Sequence, residues 1–406
     1  MEAHIGTNTS DQSVHNIPAH IPQELIRDFD FFKVEAVDGD LHLGWRALHD
    51  GPDIFYTPHN GGHWVFTRAA DIEEAYRDTD RFSSKIVALP YVEHDFRFAP
   101  AEYDPPEVHD YRRILAPGFS PASLRKSEEI IRSLCIRLIE GLKPLGRCEF
   151  QSSFSQHLPI AVFLGMMDFP MNDADRLLPL AEAHVRNPDP AVVAESGAAM
   201  HVYLTEKIGQ RMQAPADDLT SQVIAGSVGG RAVRVDEVVG MCMDLMFAGL
   251  DTVVAALGFS MNFLARHPDH QAILSANPAL IPEAIEEMLR YHGLTNMARM
   301  VRDDIAYRGV TMRAGETVLL STTLHGLDER RFPDATTINF DREDKTHMIF
   351  GSGVHRCLGS HLARLELKIF WQEWFARIPR FHIDDEAGVE AASGRTNMMM
   401  RLPIAW

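Results

Sequence analysis

Residues Phe350 to Gly359 read FGSGVHRCLG, one cysteine among three glycines, a phenylalanine, a histidine and an arginine. A cysteine does chemistry as its thiolate, as nucleophile or as metal ligand. Glycines cluster where the backbone takes unusual dihedrals or comes close to another group. The combination predicts a thiol presented beside something flat or bulky. A second stretch, AGLDT from Ala248 to Thr252, sets a carboxylate, a hydroxyl and a glycine in an apolar segment. There Asp251 suits proton transfer, the Thr252 hydroxyl can bond to a carbonyl one turn back, and Gly249 leaves room for a small ligand. A third, EEMLR, puts Glu287 and Arg290 three residues apart on one helix face. Taken alone, AGLDT reads equally as a salt-bridged aspartate with a back-bonded threonine, and EEMLR as a surface ion pair.

The elements that must position these residues are mostly helical. From Ser127 to Leu142 the apolar residues Ile130, Ile131, Leu134, Cys135, Leu138 and Leu142 recur at three- and four-residue steps, which predicts an amphipathic helix. A longer helix is expected from Val235 to His267, stopped by Pro268. Its middle, MCMDLMFAGLDTVVAALGF, is apolar on nearly every side and should cross the interior. EEMLR lies on a helix after Pro282, and the strand-like pieces GHWVFTR, IAYRGVTM and TVLLST are short. No repeat or Gly/Ser linker divides the chain. The expectation is one domain over 21–406, mainly α with small β-sheets, behind a disordered polar lead-in over 1–20.

A count of 39 Lys+Arg against 57 Asp+Glu gives a formal charge of -18, which argues against nucleic acid as a partner. Cys135, Cys148, Cys242 and Cys357 show no metal or disulfide spacing, so a reducing compartment is expected. The first residues lack the apolar core of a signal peptide or membrane anchor. The chain therefore reads as a cytoplasmic protein without a membrane, and as a monomer.

In their order and separation, AGLDT, ExxR and FxxGxxxCxG resemble the signature of the cytochrome P-450 family of haem-thiolate monooxygenases. GGHWVFTR, DPPE from Asp104, GLDTVV, GLDER, HLAR and the terminal LPIAW extend the resemblance along the chain to bacterial camphor 5-monooxygenase-like members. The resemblance implies a single-domain fold with a long central helix over haem b. Cys357 would be the thiolate ligand of the iron, with Gly351, Gly353 and Gly359 letting the loop lie against the porphyrin and Phe350 packing on the same face. Arg112, Arg299 and His355 would receive the haem propionates. Many relatives carry His or Trp where this chain has Val108, which leaves fewer donors for them. Asp251 and Thr252 would deliver protons, and Glu287 with Arg290, joined by Arg330 or Arg342, would form a structural ion cluster.

The implied reaction inserts one atom of O2 into an unactivated C–H bond. No Gly-rich NAD(P)H fingerprint follows a strand, so electrons should come from a [2Fe-2S] ferredoxin reduced by an NADH-dependent flavoprotein. His109, Arg112, Arg113, Lys345, Arg356 and Arg364 are expected on the docking face. A peroxygenase, an isomerase and a non-catalytic haem protein are the competing readings, and the intact Asp251–Thr252 pair argues against them.

The substrate pocket implied by the resemblance takes in Val87, Phe96, Phe98, Val185, Asp244, Phe247, Ala248, Thr295, Met297 and Thr396. Camphor hydroxylases hold the substrate ketone with a tyrosine hydroxyl at the position of Phe96, and here that hydroxyl is missing. The expected substrate is a small hydrophobic terpenoid ketone of another shape, ionone-like norisoprenoids being preferred to camphor. Asp244 is expected either to be neutralised by Arg395 or His184 or to point away.

Overall fold

The computed structural model describes residues 17–93, 96–186 and 189–406, apart from the side chains of residues 185, 186 and 190. Helices α1 (Ala69–Arg77), α2 (Glu107–Leu115), α3 (Pro121–Leu142), α4 (His157–Met167), α5 (Ala174–Arg186) and α6 (Pro190–Gln213) precede the longest, α7 (Val235–Arg266). Helices α8 (Ile281–Tyr291) and α9 (Ser360–Arg377) follow. The main sheet holds β1 (Ile54–Thr57), β2 (His63–Phe66), β3 (Phe82–Ser83), β4 (Asn296–Val301) and β5 (Thr317–Ser321), in the order β1-β2-β5-β4-β3. β5 runs parallel to β2 and antiparallel to β4.

The start of α7 is fixed by Glu237, whose Oε2 accepts the Arg234 backbone N–H at 2.8 Å. Its end comes at His267, where Pro268 opens a separate helix. Although α7 is long and apolar enough to cross a membrane, it runs through the protein interior. Two apolar clusters divide it. Val238, Cys242, Met246 and Leu250 pack with Tyr111 and Leu204, whereas Val253, Leu257 and Met261 pack with Trp371 and Trp374. The AGLDT segment thus straddles the seam between two cores.

Helix α3 begins six residues before the apolar period does. Ser120 caps it by accepting the Ser123 N–H at 3.3 Å, and Pro121 occupies the first turn, where its missing donor costs nothing. Cys135 is buried on this helix, and burial pushes its thiol up to about 12, so it is inert.

Glu287 and Arg290 are not a surface pair. Both side chains on α8 are fully buried, with Arg290 Nε 2.8 Å from Glu287 Oε2. Arg342 completes the cluster through Nε, 3.0 Å from Glu287 Oε1, while Arg330 instead meets Asp53 and Asp328 at 2.6 and 2.7 Å. Arg290 also donates to the carbonyls of Gly326, Ala335 and Thr337. The chain at Gly326 comes so close that a Cβ there would stand 1.9 Å from the Arg290 carbonyl oxygen.

Of the stretch expected to be disordered, 1–16 lies outside the described residues. The remainder is ordered: Ile21 donates to Pro18 O at 3.0 Å and His20 lies 3.0 Å from Glu316.

Candidate functional site

Halfway along α7 the helix changes character. Met243, Met246, Leu250, Val253 and Val254 are buried, whereas Asp244, Phe247, Ala248, Asp251 and Thr252 keep accessible surface. Asp244 and Asp251 do so deep among protein atoms. The exposed set recurs at three- and four-residue steps, so it forms one face, and that face borders an internal opening. A Cβ added at Gly249 would meet nothing within 4 Å. Thr252 Oγ1 donates to the Ala248 carbonyl at 2.7 Å, the back-bond expected of a mid-helix threonine. Asp251 is not salt-bridged among the described residues, and its Oδ1 has no hydrogen-bond partner there. Burial pushes its carboxyl up to about 7, opposed by the positive charge of Arg395.

The cysteine loop closes on itself, Cys357 donating its N–H to Phe350 O and Gly351 to Met348 O, both at 2.8 Å. Gly351 and Gly353 have φ of 61° and 64°, and a side chain at Gly353 would also crowd Tyr76 O at 3.2 Å. Left-handed backbone packed on α1 thus calls for glycine at both positions. Gly359 does adjoin the sulfur: its N–H bonds to the thiol, and a Cβ there would lie 3.8 Å from Sγ. Phe350 is covered by the Arg364 guanidinium, 4.5 Å from its ring centroid. The Cys357 thiol is accessible to solvent yet deep in the protein, so it too lines the opening. Burial raises its pKa, while the Gly359 N–H, Arg112 and Arg364 favour the thiolate.

Three cationic or donor groups stand near this loop without matching anions. Arg299, on β4, is buried, lies 5.2 Å over the Tyr76 ring and donates to Ala298 O, but makes no ion pair among the described residues. His355 has an unpartnered Nε2, and burial with Arg299 and Arg112 holds its pKa down to about 3. Arg112 donates to Arg356 O at 2.7 Å. A buried guanidinium without a carboxylate is costly unless an anion meets it. A group with a flat body, a thiolate-seeking metal and acidic edge substituents suits this donor set.

Aromatic side chains wall the α7 face. Phe98 lies 6.1 Å from Phe247 and 5.2 Å from Phe96, Phe96 stacks on His201 at 5.1 Å, and His184 stacks on Phe247 at 4.5 Å. Val87, Thr295, Met297 and Thr396 are half-buried on adjoining segments, Thr295 bridging Thr396 and Val87 O accepting the Ala298 N–H at 2.8 Å. The Val185 side chain lies outside the described residues. Asp244 is neutralised by neither expected partner. It accepts the Ala101 N–H and faces Glu102, whereas Arg395 is held by Leu89 O and Pro90 O at 3.1 and 3.0 Å and acts on Asp251. This link between Arg395 and the proton-bearing carboxylate carries no sequence signal, since 144 positions separate the two residues by number alone.

A family model described as Cytochrome P450 matches residues 198–377. The chain is 33% identical over 404 residues to "Probable cytochrome P450 127A1" of Sinorhizobium fredii, covering 96% of this chain and 97% of that protein. It belongs to the cytochrome P450 family. The steroid C26-monooxygenase of Mycolicibacterium smegmatis is 30% identical, over 87% of this chain and 89% of its own. Among solved P450 structures, CYP101J2 matches with a TM-score of 0.89 at 33% identity, covering 96% of this chain and 99% of that one. CYP101C1 matches with a TM-score of 0.89 at 35% identity, covering 96% and 100%. The chain is thus a P450 monooxygenase whose cofactor is haem b, and the donor set around Cys357, Arg112, Arg299 and His355 fits that group.

Proposed function

We propose that this P450 hydroxylates a small alicyclic terpenoid or norisoprenoid ketone, with Cys357 as iron ligand and Asp251 and Thr252 serving proton delivery. The observation that carries the site reading is the face of α7 on which Asp251 and Thr252 stand accessible in an otherwise buried helix. Haem supplies the activation of O2 and the cleavage of its O–O bond, favoured by thiolate donation. Arg112, Arg299 and His355 hold its propionates, and the Gly359 N–H tempers the charge on sulfur. Asp251, near half-protonated at neutral pH, can take up a proton and release it toward the opening. Thr252, its own hydrogen given to Ala248 O, leaves its oxygen as an acceptor for a water or hydroxyl there.

The substrate reading is supported by the walls: the rings of Phe96, Phe98 and Phe247 pack side by side along the α7 face, with phenylalanine rather than tyrosine at 96. Electrons are proposed to come from a [2Fe-2S] ferredoxin and its NADH-dependent reductase in the cytoplasm. Arg113, Lys345 and Arg364 pair with Asp110, Glu283 and Glu286, so His109 and Arg356, without ion pairs among the described residues, are proposed to contribute most to attracting an acidic partner. A spin-state titration against monoterpenoids and norisoprenoids tests the substrate: ionones should give the fullest high-spin conversion. Full conversion by camphor with none by ionones would overturn the reading.

A further inference from the structure

Asp244 is the pocket group with no place in the chemistry above. It stands one turn before Ala248 and two before Thr252, on the accessible face of α7 and beside Phe247. Although deep in the protein it keeps accessible surface, so the carboxyl borders the opening rather than packing into the core. One interaction is local: the Ala101 N–H bonds to it. The carboxylate facing it is Glu102, from the 96–104 segment, while the Cys357 thiol of the ligand loop and Asp251 on its own helix are both pushed by burial toward their neutral forms. The nearby bases are engaged elsewhere. His184 Nδ1 lies 3.0 Å from Val193 O, and Arg395 is anchored on Leu89 and Pro90. No cationic side chain pairs with Asp244 among the described residues.

A buried carboxylate without a cation, facing a second carboxylate, is best relieved by keeping its proton. Burial and Glu102 accordingly push Asp244 up to about 7, against the pull of the Ala101 N–H. With one oxygen occupied by that N–H, the acid has an O–H to offer the opening. Around it the aromatic rings of Phe96, Phe98 and Phe247 supply no donor.

We infer that Asp244, as the neutral carboxylic acid, donates a hydrogen bond to the carbonyl oxygen of the substrate and thereby selects ketones in place of the hydroxyl missing at Phe96. This rests on the ketone reading above. Ionisation turns the donor into a negative charge beside the carbonyl oxygen, so ketone binding weakens as pH rises through neutrality.

The test is calorimetric binding of a matched pair, an ionone and its deoxygenated hydrocarbon, to the haem-loaded protein at about pH 6 and about pH 8.5. Wild type should prefer the ketone by about three- to tenfold at the lower pH, with the preference shrinking at the higher one. Asp244→Asn retains an N–H donor that does not titrate, so its preference should persist at both values. Asp244→Leu should bind both compounds alike. A ketone preference that survives in Asp244→Leu, or that titrates unchanged in Asp244→Asn, would overturn the inference alone. Failure of wild type to bind either compound would overturn the substrate reading and the inference together.

Discussion

Arg290 grips Glu287 at 2.8 Å with both side chains excluded from solvent, and Arg342 closes on the same carboxylate from outside at 3.0 Å. Removing one member leaves a buried charge without its counterpart. Arg290→Ala or Glu287→Gln should therefore cost about 3 to 5 kcal/mol, read as lost soluble yield and lost haem retention on denaturant titration. Arg330→Ala, outside the cluster and with a partly exposed guanidinium, should cost less than either, since buried Asp328 keeps its bonds from the backbone N–H groups of Ala69 and Arg330.

Cys357 is the cysteine whose thiol is accessible from the interior opening and supported by cations. The ferrous carbon monoxide adduct should show the red-shifted Soret band of thiolate-ligated haem. Cys357→His should abolish it, and survival of the band would refute the ligand assignment.

Thr252→Ala removes an acceptor on the pocket face of α7 while leaving the helix bonded. Haem content should remain near wild type, and product formed per NADH should fall with a matching rise in peroxide. The affected step should lose on the order of 2 to 4 kcal/mol of stabilisation. Asp251→Asn should slow turnover and flatten its dependence on pH near 7, because the titrating group is gone.

Glu366, on α9, is buried with an unpartnered Oε2, and burial pushes its carboxyl up to about 8. The folded protein thus keeps a proton that the unfolded chain releases near pH 4.5, the ordinary value for this group. Its contribution is full at low pH and is lost as pH rises toward about 8. Glu366→Gln should lose less stability than wild type between about pH 6 and about pH 8.5, on the order of a few kcal/mol in denaturant unfolding.

What could be read from the chain was what lies within one element. AGLDT, ExxR and the cysteine loop each fit inside a helix or a loop, so their resemblance to the family signature could be seen in the chain, and the bounds of α7 followed from its apolar middle and Pro268. Contacts between distant segments could not be read. Nothing near Asp244 announces Ala101 or Glu102, and nothing in ExxR chooses Arg342 over Arg330. The glycine cluster announced unusual dihedrals, which Gly351 and Gly353 adopt, but not the packing of this loop against Tyr76 on α1. The start of α3 was lost because its first turn, PASLRK, is held by a cap and a proline instead of an apolar stripe.

The approach of Gly326 to Arg290 also bears on how mutational tolerance will be distributed. Arg290 Nη1 takes the Gly326 carbonyl at 2.6 Å, and the space for any side chain at 326 is filled by the Arg290 carbonyl oxygen. A saturation library scored on function would find position 326 as unforgiving as 290. Depletion at this glycine would then report a backbone-to-backbone fit behind the ion cluster, not a residue that meets oxygen, electrons or substrate.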